Sequence, residues 1–182
     1  MDSQDIFTFG KIIGGSLPIG AIGGRRDVMF VFDASKGRPI VPQGGTFSAN
    51  PLSMTAGLAS MNALDQAAFS HLEKLGDRLR DQLRAAITRH GAPFSVSGAA
   101  SLFRIHAKPV LPREFREALA TPEEAHVLLE LARTFAEQGI NITNNTSGCL
   151  STPMRNADID LISSVFDRFL ATRGDLIEPL SA

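Results

Sequence analysis

The stretch TFGKIIGGSLPIGAIGG, residues 8–24, decides how this sequence is interpreted. It contains one charged residue, Lys11, among six glycines and several apolar side chains. Residues 5–9, DIFTF, predict a short strand that leads to Lys11, and the glycines mark turns or close backbone approach. Surroundings of isoleucine and glycine would exclude water and disfavour a charged ammonium, which would give a neutral amine suited to Schiff-base chemistry. The spacing by itself favours the alternative, an exposed lysine in a flexible loop.

Composition restricts the classes of partner. Of 182 residues, 43% are apolar, as in a globular protein. Lys and Arg total 18 against 19 acidic residues, so no excess charge indicates nucleic acid or an anionic membrane, and we expect neither partner. No stretch has the length of a transmembrane helix, and residues 1–10 lack the pattern of a secretory signal. The single cysteine, Cys149, favours a reducing compartment, so we expect a cytoplasmic protein.

The spacing of the residues around Lys11 does not match known ligand-binding motifs. A phosphate-binding P-loop requires glycine where Asp5 stands and serine or threonine where Ile12 stands. No three glycines have the dinucleotide-binding spacing. We predict no metal site, because the four histidines are scattered along the sequence, and we expect Cys149 to be a small buried side chain rather than a nucleophile. The histidines are His71, His90, His106 and His126.

Helix and strand patterns cover most of the remaining chain. Asn50 followed by Pro51 predicts a capped helix start, and its small apolar residues predict a helix buried against a sheet. Thr121 and Glu124 form a capping box. Five helices are predicted: 25–35, one that begins at Asn50, one from Leu72 that ends near Gly91, one from Thr121 to Gly139, and one capped by Asn156. The predicted strands are 94–98, 101–106 and 140–145.

The chain has two parts of different composition. Residues 1–65 are glycine-rich and apolar, whereas residues 76–182 alternate helix and strand like a small α+β domain. We predict two domains, 1–70 and 71–182.

Two motifs together resemble the cofactor-lysine region of the class III pyridoxal-phosphate-dependent aminotransferases, and most closely that of the glutamate-1-semialdehyde aminomutases. They are DIFTFGKIIGGSLPIGAIGGRRDVM, residues 5–29, and GGTFSANPLSMTAGLA, residues 44–59. The resemblance continues more weakly to the final helix. It implies an α/β protein of fold type I, in which 1–70 is the C-terminal part of the large domain and 71–182 is the C-terminal small α+β domain.

The resemblance also implies roles for three residues. Lys11 corresponds to the lysine that forms a covalent Schiff base with pyridoxal 5'-phosphate. Thr46, with the Gly45 backbone beside it, corresponds to the threonine that binds the cofactor phosphate of the neighbouring subunit, which implies a homodimer. A hydroxyl and backbone N–H groups are suitable phosphate donors. We expect Ser48 and Asn50 to serve the turn and the helix cap instead.

The family pattern is incomplete in this sequence. The phosphate-gripping loop, the ring-stacking aromatic residue and the aspartate that pairs with the pyridine nitrogen precede the lysine in the family, and none can be assigned here. We therefore expect a truncated chain in which 1–65 exposes an apolar face. Aminomutases of this type often carry a carboxylate where residues 144–154 read NNTSGCLSTPM, without an acid.

Three functions remain open from the sequence. The first is amino-group transfer by an aminomutase-like enzyme, or by a class III aminotransferase, acting on a small amino acid or amino aldehyde. The second is a non-catalytic fragment that is stable only as an oligomer. The third is a small module that binds phosphate ligands through the glycine loop, which the failed motif spacings argue against.

Overall fold

The computed structural model describes residues 5–181, with side chains up to residue 180. Met1 and Ala182, the outer ends of the two predicted domains, lie outside the described residues. The chain divides into two compact units that meet between Gln66 and Ala67. The assignment of domains to 1–70 and 71–182 stays a prediction, because compactness alone does not identify a domain.

The first unit begins with an antiparallel pair of strands, β1 (Ile6–Gly10) and β2 (Gly20–Gly24). The predicted strand at 5–9 is therefore confirmed within one residue. The register pairs Ile6 with Gly24 and Gly10 with Gly20, so residues 11–19 form a closed loop between two paired glycines. We call this segment the lysine loop. It starts as a 3₁₀ turn, Lys11–Gly14.

Two helices follow in the first unit. The predicted helix at 25–35 is shorter than expected: α1 is Arg26–Met29, and a 3₁₀ turn at Phe30–Phe32 ends it. Helix α2 is Pro51–Ala63. The side chain of Asn50 caps it as predicted, because its Oδ1 accepts hydrogen bonds from the backbone N–H groups of Leu52 and Ser53 at 3.0 and 3.2 Å.

The first unit exposes much of its apolar surface. Its described buried residues are Gly14, Ser53 and Gly57, whereas Phe9 and Leu52 are 50% and 73% exposed. The exposed apolar face expected for 1–65 is therefore present in its described part, residues 5–65. The prediction that α2 is buried against a sheet is wrong for this chain, because the only sheet of the first unit's described residues is the two-stranded pair β1–β2.

The second unit packs three long helices with a small sheet. The helices are α3 (Gln66–His90), α4 (Pro122–Glu137) and α5 (Asn156–Thr172). A short helix, α6 (Gly174–Ile177), and a 3₁₀ turn, Glu178–Ser181, follow. The capping box at Thr121 and Glu124 is confirmed. The predicted Asn156 cap is wrong by one residue, since Arg155 takes that position and its N–H donates to the Asp158 carboxylate at 2.7 Å.

The sheet is antiparallel in the order β3–β4–β5, with β3 at Ser95–Ser97, β4 at Leu102–His106 and β5 at Ser147–Cys149. Alternate residues of β4, Phe103 and Ile105, point into the hydrophobic core that all three long helices share. Phe94 and Phe166 meet edge to face there, with ring centroids 5.9 Å apart. This core, rather than the first unit, holds most of the buried apolar side chains of the described chain.

The strand predicted at 140–145 is wrong. The structure has a turn there, in which the N–H of Thr146 donates to the carbonyl of Thr143 at 2.8 Å, and the strand begins only at Ser147. Threonine and asparagine side chains satisfy backbone groups locally in this segment: Thr143 Oγ1 accepts from the Ser147 N–H at 2.9 Å. Such local hydrogen bonds compete with strand pairing, which explains the difference.

Candidate functional site

Lys11 lies where β1 ends and the 3₁₀ turn begins. Its side chain is exposed in the described chain, so the water-excluding surroundings expected from the sequence are not supplied by residues 5–181. An open pocket of about 540 Å³ adjoins it, lined by Lys11, Ile12 and residues 16–19. The amine is therefore accessible to a ligand that approaches from this side.

The backbone of Lys11 is unusual. Its φ is +56°, in the left-handed region that a residue with a side chain adopts at a cost of about 1–2 kcal/mol. Residues held in such conformations persist only where the surrounding structure imposes them, and they cluster at functional sites. The conformation therefore singles out this lysine from the others in the chain, Lys36, Lys74 and Lys108, none of which has a positive φ.

The other two predicted site residues lie in a turn before α2. The N–H of Ser48 donates to the carbonyl of Gly45 at 2.9 Å, which closes a turn over residues 45–48. The Thr46 side chain is exposed, and the N–H groups of Thr46 and Phe47 donate to no described residue. A methyl group on Gly45 would meet only the Ser48 hydroxyl, at 3.5 Å. Free N–H groups beside a hydroxyl fit an anion such as a phosphate.

The structure assigns Ser48 and Asn50 to the turn and the cap, as predicted. It does not join the two parts of the predicted site, since no hydrogen bond between described residues links Lys11 to Gly45 or Thr46. The residues present thus fit pyridoxal phosphate by their chemistry: an accessible amine for the aldehyde, and a hydroxyl with free N–H groups for the phosphate.

Sequence reasoning missed the residues of α2 that contact the lysine loop. Ser53 is 2% exposed, and its hydroxyl donates to the carbonyl oxygen of Pro18 at 2.9 Å. Gly57 is so close to the loop that a methyl group there would overlap the carbonyl oxygen of Ile13. A signal was present, because Ser53 and Gly57 are four residues apart and therefore share one face of a helix.

Two other reactive side chains lie on the sheet of the second unit. Cys149 is exposed, so its predicted burial is wrong: strand alternation directs Leu150 into the core and Cys149 to the opposite face. His106 is buried, and its Nε2 lies 2.8 Å from the Ser97 hydroxyl. Burial, followed by the charges of Arg104 and Lys108, lowers the pKa of His106 below its ordinary value of 6.5.

Neither a metal cluster nor a membrane span is found in the described chain. Within residues 5–181, no three His, Cys, Asp or Glu side chains are grouped to hold a metal ion. No helix in the same range combines the length and apolar composition that a bilayer crossing requires.

The chain has the fold of part of the pyridoxal-phosphate-dependent transaminases of fold type I. The structure matches an omega-transaminase from Sphaerobacter thermophilus with a TM-score of 0.87 and 38% identity, covering 92% of this chain and 38% of that one. It matches a β-phenylalanine aminotransferase from Variovorax paradoxus with a TM-score of 0.86 and 30% identity, covering 95% of this chain and 40% of that one. The fold class predicted from the sequence is confirmed.

The chain belongs to the aminotransferase class-III family, whose model matches residues 2–168. The family resemblance predicted from the two motifs is therefore confirmed. A glutamate-1-semialdehyde 2,1-aminomutase from Methanothrix thermoacetophila is 39% identical over 144 residues, which are 76% of this chain and 31% of that protein. The chain thus spans about a third of the length of this curated relative. Members of the family use pyridoxal phosphate, which is bound in one of the matched transaminase structures.

Proposed function

We propose that this chain carries the lysine and a phosphate-binding turn of a pyridoxal-phosphate-dependent enzyme that transfers amino groups. The observation that carries the proposal is Lys11, exposed beside an open pocket with its backbone held at a φ of +56°. In this proposal, residues 1–70 belong to the cofactor-binding large domain and residues 71–182 form the small domain.

Each residue has a specific task in the proposal. The Lys11 amine would hold the cofactor covalently through its aldehyde carbon, with loss of water, and as a free amine it would move a proton to and from the substrate α-carbon. The Thr46 hydroxyl and the backbone at Gly45 bind the phosphate. The bound cofactor supplies an electron sink for the negative charge that develops at that carbon. A homodimer, in which Thr46 serves the neighbouring subunit, and a cytoplasmic location consistent with the free thiol of Cys149 are part of the same proposal.

The finer proposal is exchange of an amino group within one molecule, as in glutamate-1-semialdehyde aminomutases. It is supported by the 39% identity to a protein of that name. Transfer to or from a different amino acid is the second candidate. It is favoured by the segment after Gly139, because the carboxylate that aminomutases often carry there is missing. The first carboxylate after Gly139 is that of Asp158, and it already accepts the Arg155 N–H at the start of α5.

The test is chemical labelling of the purified chain. Pyridoxal phosphate is added, borohydride fixes it to any amine with which it has reacted, and mass spectrometry identifies the labelled peptide. We expect label on Lys11, no label there in Lys11→Ala, and weaker labelling in Thr46→Ala. Lys74→Ala, which removes another exposed lysine, is the matched control and should label as the unsubstituted chain does.

The outcomes separate the candidates. No label, or label spread evenly over Lys11, Lys36, Lys74 and Lys108, would contradict the proposal and support a chain without catalytic function. If Lys11 is labelled, the cofactor-loaded chain is mixed with glutamate-1-semialdehyde or with β-phenylalanine. Conversion of the bound cofactor to its amine form by β-phenylalanine alone favours the second candidate. Binding of inorganic phosphate without lysine labelling would instead indicate a simple phosphate-binding module.

A further inference from the structure

We propose that α2 positions the amine of Lys11 by holding the lysine loop through Ser53 and Gly57, and that Ser53 is a positioning residue for the cofactor lysine. This inference rests on the proposed function, because it concerns the lysine that attaches the cofactor. Ser53 acts through the loop and makes no hydrogen bond to Lys11.

The ends of the lysine loop are fixed by strand pairing. Gly10 and Gly20 are partners at the end of the β1–β2 ladder, so the loop leaves the sheet and returns to it at one point. Within the loop, the N–H of Gly15 donates to the carbonyl of Ile12 at 2.9 Å, and that of Leu17 donates to Gly14 at 3.0 Å. These bonds are local and give the loop a shape, but they do not fix its direction relative to the rest of the unit.

Long-range contacts with α2 supply that direction. The Ser53 hydroxyl reaches across 35 residues of sequence to the carbonyl oxygen of Pro18, near the end of the loop. Ser53 is 2% exposed on a helix whose other large side chains face outward, so the donor of this hydrogen bond is shielded from water, whereas Pro18, which carries the acceptor, is exposed. Away from Pro18, the buried Ser53 hydroxyl would be left unsatisfied, which makes the contact stabilising in one geometry only.

Close backbone packing fixes the first half of the loop. Gly57 lies one turn after Ser53, and its missing side chain lets α2 contact the Ile13 carbonyl oxygen directly. In the opposite direction, Gly15 has a φ of +57° and lies against the backbone of Ala56, where a methyl group would be 2.5 Å from the carbonyl carbon. Two glycines on facing segments leave no space for the loop to shift toward the helix.

These contacts maintain the strained backbone conformation of Lys11. A lysine at a φ of +56° relaxes to an ordinary conformation if the loop is free to move, and its amine then changes direction. Holding the loop at Ile13 and at Pro18 therefore keeps the amine directed at the open pocket. Because the loop is already held in this conformation, a larger fraction of the molecules has the Lys11 amine in position to react with the cofactor aldehyde.

The test compares Ser53→Ala with Ser60→Ala, a change of the same size two turns further along α2 at a serine whose hydroxyl has no hydrogen bond to a described residue. Two readouts are combined: Lys11 labelling by pyridoxal phosphate and borohydride at limiting cofactor, and amide hydrogen exchange of the peptide that contains residues 11–19. We expect Ser53→Ala to lower labelling about two- to tenfold, as the loss of one hydrogen bond predicts, and to speed exchange in the loop. Ser60→Ala should change neither.

Further variants test the close packing of α2 against the loop and the need for the Ser53 hydroxyl. Gly57→Ala adds a methyl group that overlaps the Ile13 carbonyl, so it should reduce labelling of Lys11 more than Ser53→Ala does. We expect this loss even though alanine has a higher helix propensity than glycine. Ala59→Gly, at an exposed site on the same helix, is the control for helix propensity. Ser53→Thr, which keeps the hydroxyl, should label more than Ser53→Ala.

The results distinguish this inference from the proposed function. If the unsubstituted chain is labelled at Lys11 and Ser53→Ala behaves like Ser60→Ala in both readouts, the positioning role is wrong. Faster exchange of the loop with unchanged labelling would give Ser53 a merely structural role and also overturn it. If the unsubstituted chain is not labelled, the proposed function fails, and the cofactor-positioning role fails with it.

Discussion

The buried guanidinium of Arg80 on α3 donates a 2.8 Å hydrogen bond to the backbone carbonyl oxygen of Ala100. A second bond, of 2.9 Å, reaches the carbonyl of Leu102, the first residue of β4. The Arg80 side chain is 6% exposed, whereas its ion-pair partner Asp77 is 66% exposed. Both members of the ion pair lie on α3, so the hydrogen bonds to the backbone are the Arg80 contacts that connect α3 to the sheet.

Replacing Arg80 by methionine should destabilise the second unit by about 2–3 kcal/mol, because two carbonyl oxygens lose a charged donor while the apolar stem is kept. The measurement is urea unfolding. Arg84→Met is the matched control: Arg84 is 52% exposed, pairs with Asp81 at 3.3 Å and reaches a backbone carbonyl, that of Val96, only at 3.5 Å, so its loss should cost less than about 1 kcal/mol. Equal losses in the two variants would show that the backbone bonds of Arg80 contribute little.

The strain at Lys11 predicts an order of stability among variants. Both Lys11→Ala and Lys11→Gly remove the amine, but only glycine adopts a φ of +56° without steric cost. We expect the loop of Lys11→Gly to be more stable than that of Lys11→Ala by about 1 kcal/mol, measured by amide hydrogen exchange of residues 12–17. Lys36→Gly and Lys36→Ala, at an ordinary φ, should show no such gain for glycine. A more stable Lys11→Ala would argue against strain.

His106 predicts a dependence of stability on pH. Its pKa in the folded chain is lowered by burial and by Arg104 and Lys108, so below about pH 6.5 the unfolded chain binds the proton more readily than the folded chain does. The free energy of unfolding should therefore fall as the pH decreases from 7.5 to 5. His106→Gln should flatten this dependence in urea unfolding, whereas His126→Gln, at an exposed site, should keep it. An unchanged slope in His106→Gln would exclude His106 as its source.

Asn50 should act as a helix cap and not as a catalytic group. Asn50→Ala removes the acceptor for two N–H groups of α2 and should destabilise the helix start by about 1 kcal/mol, seen as faster exchange of the Leu52 and Ser53 amides. Asn50→Asp keeps an acceptor and should preserve their protection. Chemical labelling of Lys11 in Asn50→Asp should match that of the unsubstituted chain, and a large loss there would assign Asn50 a role beyond the cap.

The parts of the fold that could be predicted depend on local chemistry. The capping box at Thr121 and the Asn50–Pro51 start are recognisable because caps use side chains within a few residues of the groups they satisfy. The apolar spacing of α3, α4 and α5 likewise reflects one buried face for each helix. Strand β2 was missed because four of the five residues in its sequence, GAIGG, are glycine or alanine, which local preference does not assign to strands.

Only part of the candidate site could be predicted from local sequence. Lys11, Gly45 and Thr46 could be singled out because their motifs are continuous in sequence. Ser53 was not, since its partner, the Pro18 carbonyl, is 35 residues away and a single serine in a helix carries no mark of a distant acceptor. The burial of Ser53 and the exposure of Cys149 are opposite to what their residue types favour.

The sequence by itself determined the family, the candidate lysine and the helical framework of the second unit, because motifs, caps and apolar periodicity act over short stretches of chain. The tertiary structure alone decided the left-handed backbone of Lys11, the contact of Gly57 with the Ile13 carbonyl, and the face on which each side chain of the small sheet lies. These features depend on segments that are distant in sequence. Their geometry is set by close packing and hydrogen bonding between backbones, which residue type does not encode.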